Sequence, residues 1–357
     1  MKSESLVDQK VGPLPGVAVS GYLTKRRAAI VISVLCGALA MATIGALALG
    51  SEHIAIGRIF AALWAKVAGQ PSPISREQEV ILFSLRLPRI ALSLGVGAAL
   101  ALAGAAFQAL LRNPLADPYV LGVSGGAAVG SILAIMFWGE LMIARPLFGF
   151  AGASVVTLIV YRLGRRESDP APLVLAGVIM STFLSSVIVL LTSLADNIKL
   201  RNITYWLLGD LSSGSLEGMA LVAATVLVGM ILLMTQSRAL NLLMMGERDA
   251  FALGVETARV RRIVYFTASM LTGAAVAVGG AIGYVGLVVP HLVRLAAGTD
   301  HRLSIPAGAL AGALLVLLAD TVARTALAPR ELPTGAITAL IGAPVFIYLL
   351  LRGRSVK

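Results

Sequence analysis

Charged residues are scarce in this sequence: Asp, Glu, Lys and Arg make up 13% of its 357 residues, and 58% are hydrophobic. A soluble domain is about 25% charged, so a chain this depleted cannot cover a water-facing surface. The net charge of +11 is not arranged as a basic stripe interleaved with aromatic residues, the usual pattern of a nucleic-acid-binding protein. We therefore expect an integral membrane protein that binds lipid and no nucleic acid.

Cysteine and histidine are nearly absent as well. Cys36 is the only cysteine, which excludes a disulfide within the chain and a cysteine-based metal site. The histidines, His53, His291 and His301, are too far apart to form a paired metal-binding motif. The sequence also lacks the G-x-x-x-x-G-K-[ST] phosphate loop, so the chain is not itself an ATPase. We expect no enzyme activity, no metal and no cofactor in this chain.

Nine stretches contain no charged residue, and most approach the roughly 20 residues that a membrane-spanning helix needs. They are 28–49, 90–111, 119–139, 146–161, 171–195, 218–237, 263–293, 303–319 and 332–351. As one straight helix, 263–293 would run roughly 46 Å, well beyond a hydrocarbon core of about 30 Å. Its glycines and its proline predict a break near Gly286–Pro290, where His291 would be a structural polar group.

Basic clusters orient these spans, because Lys and Arg collect in cytoplasmic loops. The clusters lie at 25–27, 162–166, 238–262 and 352–357. An even number of crossings must separate them, so 263–293 crosses twice. We expect about ten spans with both termini in the cytoplasm. The chain divides into a polar cytoplasmic tail, 1–24, and a transmembrane domain, 25–357.

Two segments of the chain resemble each other: GAALALAGAAFQALLRNP from Gly97 and GAAVAVGGAIGYVGLVVP from Gly273. Chance similarity between Ala/Gly-rich helices is one interpretation. The other is an internal repeat, with halves at about 25–195 and 218–352. Five spans in each half would make the halves inverted, a recurrent plan in transporters. The expected fold is all-α, with about ten transmembrane helices in two inverted halves.

Three arginines oppose the positive-inside pattern. Arg86 and Arg89 begin the second span and Arg324 ends a later one, all on the predicted outer side. Snorkelling to lipid headgroups is one interpretation. A docking site for acidic side chains of an extracytoplasmic partner is the other. Asp320, four residues before Arg324, predicts an ion pair that orients Arg324; a proton relay is the weaker alternative.

Two connections on the predicted cytoplasmic side are candidates for functional contacts. The segment RNPLADP, residues 112–118, predicts a rigid turn, either a simple connection or a gate. The loop 238–262 predicts two short amphipathic helices separated near Gly246. Its apolar side chains form a surface for a protein partner; they are Leu240, Leu243, Met244, Phe251 and Leu253.

From about residue 80 to its C-terminus, the chain resembles the permease family of type II ABC importers for ferric siderophores, haem and vitamin B12. The matching stretches are RLPRIALSLGVGAALALAGAAFQALLRNPLADPYVLGVSGGAAVG, LLMMGERDAFALGV, GAIGYVGLVVPHLVRLAAGTDHR and ELPTGAITALIGAPVFIYLLL. The resemblance implies a homodimer with a central pathway in the bacterial inner membrane. It also implies a periplasmic substrate-binding protein and two separate ATP-binding cassette subunits, which would bind the ATP and Mg²⁺.

The resemblance also implies roles for particular residues. Carried over by position, Arg86, Arg89 and Arg324 are similar to the family's arginines that meet glutamates of the binding protein.

Other roles lie on the cytoplasmic side. Asn113 and Leu115 match the loop that closes the cytoplasmic gate. Gly246, Glu247 and Arg248 match the segment that couples to the ATPase.

The expected function is therefore the permease subunit of an ABC importer. We expect an iron chelate, a ferric siderophore or haem, because that branch of the family is the broader one; cobalamin is the alternative. A second class of function is an ion-driven secondary transporter that uses Asp320. A neighbouring reading frame for a P-loop ATPase would favour the first.

Overall fold

The computed structural model describes residues 24–50, 52–139, 141, 143–164, 171–212 and 214–354, without the side chains of 349, 350 and 352–354. The polar tail, apart from Thr24, and the basic residues Arg165, Arg166 and Lys357 lie outside this part of the chain. Fourteen α-helices and no strand are found in the described residues. They are α1 Lys25–Ala48, α2 Ile56–Ala68, α3 Arg76–Val80, α4 Leu87–Leu110, α5 Val123–Trp138, α6 Ala144–Gly164, α7 Ala171–Ser193, α8 Asn197–Leu207, α9 Leu216–Leu243, α10 Glu247–Ala252, α11 Thr257–Gly279, α12 Val285–Ala297, α13 His301–Thr325 and α14 Thr334–Arg354.

Ten apolar helices account for the predicted spans. Seven are long and apolar enough to cross a membrane: α1, α4 with its N-terminal extension, α6, α7, α9, α11 and α13. Three shorter apolar helices, α5, α12 and the described part of α14, complete the set. The prediction of an all-α membrane protein with about ten spans is confirmed.

The two similar segments form the centre of the bundle. They begin in α4 and α11, the most buried of the seven long helices, and these two helices pack against each other. The second segment continues through residues 280–284 into α12. Val96, early in α4, lies beside Gly279, which ends α11. Phe107, late in α4, has its ring centroid 6.1 Å from that of Tyr265, early in α11. Helices α4 and α11 therefore run antiparallel to each other, as inverted halves require.

The break in 263–293 lies elsewhere than predicted. α11 ends at Gly279 and α12 begins at Val285, so the non-helical residues are 280–284 rather than Gly286–Pro290. Pro290 lies inside α12, where its missing N–H leaves the Gly286 carbonyl without a helical donor. The side-chain amide of Gln108 donates to that carbonyl at 3.2 Å, so the proline is accommodated. His291 is consequently in a helix and not at a break.

The segment before the second span also differs from the prediction. One continuous helical segment runs from Arg76 to Leu110, with π-helical geometry over Ile81–Arg86. Arg86 and Arg89 lie inside this helix and do not begin it. The short helix α2 was not predicted either, because Arg58 and Lys66 interrupt its apolar pattern.

Glycines spaced four residues apart let helix backbones approach closely in this bundle. Gly126 and Gly130 pack against the backbone of α6, at Gly152 and Phe148. Two glycines of α13 that are four residues apart, Gly308 and Gly312, differ in their surroundings. Gly312 packs against the backbone of α4, whereas a Cβ at Gly308 would meet nothing within 4 Å.

Candidate partner-binding and gating sites

A buried carboxylate pairs with two of the three predicted docking arginines at one end of the bundle, which we call the arginine end. Asp320 is fully buried. Its oxygens accept two hydrogen bonds from Nε of Arg89, at 2.9 and 3.1 Å, and one from Oγ1 of Thr334 at 3.0 Å. Nε of Arg324 is 3.9 Å away. The predicted ion pair between Asp320 and Arg324 is present, but the closest cationic partner of Asp320 is Arg89, on a different helix.

The other two arginines hold the C-terminal end of α1. Nη1 of Arg86 donates to the carbonyl of Leu47 at 2.6 Å, and Nη2 of Arg86 donates to the carbonyl of Glu52. Nη2 of Arg324 donates to the carbonyl of Ala46. The last carbonyls of a helix lack intrahelical donors and carry partial negative charge, so cations there are favourable. Both guanidinium groups therefore have a structural role.

Exposure separates the three arginines. Arg86 is 4% exposed and Arg324 is 9% exposed. The Arg89 side chain is 11% exposed, and its Nη1 donates at 2.7 Å to Glu331, whose side chain is 52% exposed. Glu331 is thus the exposed member of this cluster, and Arg89 is the arginine bonded to it. The structure thus brings the predicted arginines together, while their contact with a partner stays a prediction.

A cavity that the sequence did not indicate opens beside α8, with a volume of about 1450 Å³. Its polar lining includes Arg145, Lys199, Arg201 and Asp210, so basic groups outnumber acidic ones. The guanidinium group of Arg201 lies 5.7 Å from the ring centroid of Tyr205. These residues come from α6, α8 and the following loop, and no local sequence spacing could have grouped them.

The RNPLADP segment, at the opposite end of α4, is a tightly bonded turn. Oδ1 of Asn113 accepts from the backbone N–H of Leu115 at 2.9 Å. Oδ1 of Asp117 accepts from the N–H of Tyr119 at 2.8 Å, and burial raises the pKa of the Asp117 carboxyl. The hydroxyl of Tyr119 donates at 3.0 Å to the carbonyl of Ile282, in the non-helical segment 280–284. The predicted turn is present, and its gating role stays a prediction.

Gln108, near the C-terminal end of α4, links that helix to α12. It donates to two carbonyls of α12, those of Gly286 and Leu287, both at 3.2 Å. Its own carbonyl accepts from Nη2 of Arg294 at 2.6 Å. A buried polar network with satisfied partners fixes the relative position of its elements. Gln108 was missed in the sequence, because a glutamine in an apolar stretch carries no charge.

The loop 238–262 is a compact connection between α9 and α11 that contains α10, and we call it the knuckle. Helix α9 extends to Leu243, a sharp turn follows, and α10 covers Glu247–Ala252. Gly246 adopts φ 140° and ψ 150°, a conformation essentially restricted to glycine. Oε1 of Glu247 pairs with Nη2 of Arg261 at 2.7 Å, which ties α10 to α11. The sequence predicted two short helices here, but the loop contains only one among the described residues, α10. The residues of the other predicted helix form the C-terminal end of α9.

The apolar surface of this knuckle differs in part from the prediction. Leu240 and Leu243 are buried in the bundle, so they are not available to a partner. Met244, Met245, Phe251 and Leu253 are exposed by 48%, 69%, 73% and 62%, and Arg248 is exposed beside them. We call Met244, Met245, Phe251 and Leu253 the knuckle patch. Exposed apolar groups rimmed by charge are typical of a protein contact.

Comparison with known proteins places the chain. Residues 24–352 match the FecCD transport family. The chain belongs to this family. It is therefore an ABC importer permease. The "Uncharacterized ABC transporter permease protein YvrB" of Bacillus subtilis is 41% identical over 332 residues, which cover 89% of this chain and 93% of that protein.

Other FecCD relatives have named substrates. The cobalamin import permease BtuC of Halobacterium salinarum is 44% identical over 281 residues, covering 78% of this chain and 75% of the relative. The vitamin B12 import permease BtuC of Salmonella typhi is 43% identical over 281 residues, covering 78% and 86%. The solved structure titled "An inward-facing conformation of a putative metal-chelate type ABC transporter" has a TM-score of 0.79 and 33% identity, covering 91% of this chain and 99% of that one. The family resemblance seen in the sequence is confirmed.

Proposed function

We propose that this FecCD permease works as a homodimer in the bacterial inner membrane, with two ATPase subunits on the cytoplasmic side and a substrate-binding protein on the outer side. The observation that carries the proposal is the separation of two distinct surfaces. The arginine end presents Arg89 and Glu331, and the other end of the bundle presents the knuckle patch. An importer driven by a partner ATPase needs one surface for cargo delivery and another for the energy source.

The knuckle is the proposed lever. An ATPase can shift a transporter only if it contacts the two conformations of that transporter differently. The knuckle joins α9 to α11, and α11 packs against α4 in the centre. The salt bridge between Glu247 and Arg261 would transmit a push on α10 directly to α11. Gly246, Glu247 and Arg248 are the proposed coupling residues.

The proposed gate is the RNPLADP turn with Asn113 and Leu115. Leu115 is 47% exposed, so its apolar side chain is available to meet a second copy across the dimer axis. The turn is bonded through Tyr119 to the segment 280–284. Movement of α11 and α12 would therefore reach the gate without any separate connecting element.

The cargo is proposed to be a large metal chelate, with cobalamin as the first candidate. This choice differs from the iron chelate favoured by the sequence, because the relatives with a named substrate and 43–44% identity import cobalamin. An iron chelate stays the second candidate, because the likeness to a metal-chelate type transporter fits either cargo. Both cargoes suit the same assembly.

Reconstitution tests this function. The permease is assembled in proteoliposomes with an ATP-binding cassette subunit and a substrate-binding protein from its own organism, and uptake of radiolabelled cobalamin, ferric siderophore and haem is compared. We expect uptake of one chelate class that requires ATP and the binding protein, and that stops when the ATPase carries a phosphate-loop lysine substitution. Uptake driven by a proton or sodium gradient without the ATPase would instead establish a secondary transporter.

A further inference from the structure

The guanidinium group of Arg89 is shared between two carboxylates of very different exposure. Its Nε edge faces Asp320, which is 1% exposed, and its Nη1 faces Glu331, which is 52% exposed. Arginine has five N–H donors in a rigid fork and can bind carboxylates on more than one edge. The inner edge is committed to a buried partner, whereas the outer edge is held by a group at the surface.

We propose that Glu331 occupies the outer edge of Arg89 as an internal stand-in for the carboxylate of a docking partner, and that docking displaces it. This inference rests on the docking role proposed above. It adds a regulatory contact: the permease occupies its own docking arginine until a partner carboxylate competes for it.

Burial decides which of the two carboxylates would leave. Removing Asp320 from Arg89 would strand a charge in a dry environment, which is strongly unfavourable. Removing Glu331 costs little, since its side chain is already half in water and regains hydration. Arg89 remains neutralised by Asp320 throughout the exchange. The exchange therefore swaps one exposed carboxylate for another and leaves the buried pair intact.

The local chain geometry keeps Glu331 close to Arg89 without burying it. Glu331 lies in the turn between α13 and α14, and its neighbour Leu332 donates through its backbone N–H to the carbonyl of Ala323 at 2.9 Å. Thr334, which begins α14, bonds Asp320. The turn is thus anchored on both sides of Glu331, while the side chain itself stays free to swing outward.

The test compares Glu331→Gln with the wild type and with Glu77→Gln. Glu77 is an exposed acid in α3, in the helical segment that leads into Arg89. Replacing it with Gln removes the same charge as Glu331→Gln. The permease–ATPase complex in lipid nanodiscs is titrated with the substrate-binding protein that supports uptake in the reconstitution above, and the Kd is measured. We expect Glu331→Gln to tighten docking about two- to fivefold, the range of an exposed ion pair, and Glu77→Gln to leave it unchanged.

Each result has a distinct consequence. An unchanged or weaker affinity in Glu331→Gln overturns the proposal, because Glu331 would then only orient Arg89. Equal tightening in both variants also overturns it, since that result reflects net charge alone. Glu331→Ala must shift the Kd in the same direction as Glu331→Gln. A complete lack of docking in the wild type would instead remove the proposed docking function itself.

Discussion

Asp320 is a carboxylate buried in the middle of a cluster of cations, and its energetics differ from those of a surface ion pair. Arg89 and Arg324 both lie within reach of its oxygens, and the described residues provide no hydrogen-bond partner for Nε of Arg324. A buried ion pair is costly to break, since the remaining charge has no water to compensate it. The carboxylate therefore acts as the common counter-ion of the cluster.

Replacing Asp320 with Asn should destabilise the permease by about 3–5 kcal/mol, because two buried guanidinium groups would lose their counter-ion. Thermal unfolding in detergent or nanodiscs measures the loss. Glu331→Gln is the matched control, since it breaks the exposed contact of the same arginine and should cost about 0–1 kcal/mol. Similar unfolding temperatures for the two variants would show that burial does not set the strength of these pairs.

The sequence reveals only part of this cluster. The spacing of Asp320 and Arg324 is visible locally, but the closer partner Arg89 is 231 positions away. The same applies to Gln108, whose partner Arg294 is 186 positions away. Charge placement identified which residues were unusual, whereas their pairing depends on how distant helices pack. Local spacing contains no information about that packing.

At the scale of helices, hydrophobic length predicts the elements well and their breaks poorly. Every charge-free stretch corresponds to apolar helical structure, because lipid leaves the backbone few other ways to satisfy its hydrogen bonds. The break in 263–293 was misplaced because Pro290 has its lost hydrogen bond compensated by Gln108. Helix α2 was not predicted, because Arg58 and Lys66 interrupt its apolar pattern.

The packing of α13 on α4 gives a sharp comparison between two glycines of one helix. A Cβ at Gly312 would overlap the backbone of Gly97, whereas a Cβ at Gly308 meets nothing. Gly312→Ala should therefore destabilise the protein by about 1–3 kcal/mol through overpacking. Gly308→Ala should be neutral or stabilising by about 0.4–1 kcal/mol. Unfolding temperatures check both, and equal losses would contradict the observed approach of α13 to α4.

The knuckle predicts a defect in coupling without a defect in folding. Gly246→Val forces a side chain onto a backbone conformation that only glycine adopts readily, so α10 should change its orientation. We expect that the binding protein no longer stimulates ATP hydrolysis by the variant importer. We also expect transport to fall at least tenfold. Gly69→Val is the control, because Gly69 also has a positive φ but follows α2, far from the knuckle, where a Cβ would meet nothing within 4 Å. Normal transport in Gly246→Val would remove the knuckle from the coupling path.

Over the whole molecule, the number of crossings determines what each end can do. Helix α12 has 13 residues, a length of about 20 Å, shorter than the hydrocarbon core of about 30 Å. It completes a crossing only together with the non-helical residues 280–284. Such backbone is tolerated at membrane depth where protein buries it, and contacts from Trp206 and Tyr119 cover this segment. The basic loops require an even number of crossings, and that number depends on this short helix.

Cysteine labelling tests that parity directly. In a Cys36→Ser background, Glu77→Cys and Arg248→Cys place one thiol at each end of the bundle, at exposed positions in α3 and α10. A membrane-impermeant maleimide should label Glu77→Cys in spheroplasts and Arg248→Cys only in inverted vesicles, because basic loops stay in the cytoplasm. Labelling after detergent solubilisation controls for intrinsic reactivity. If both thiols react from the same side, the knuckle cannot face an ATPase while Arg89 faces a delivery protein, and the division of labour between the two ends is wrong.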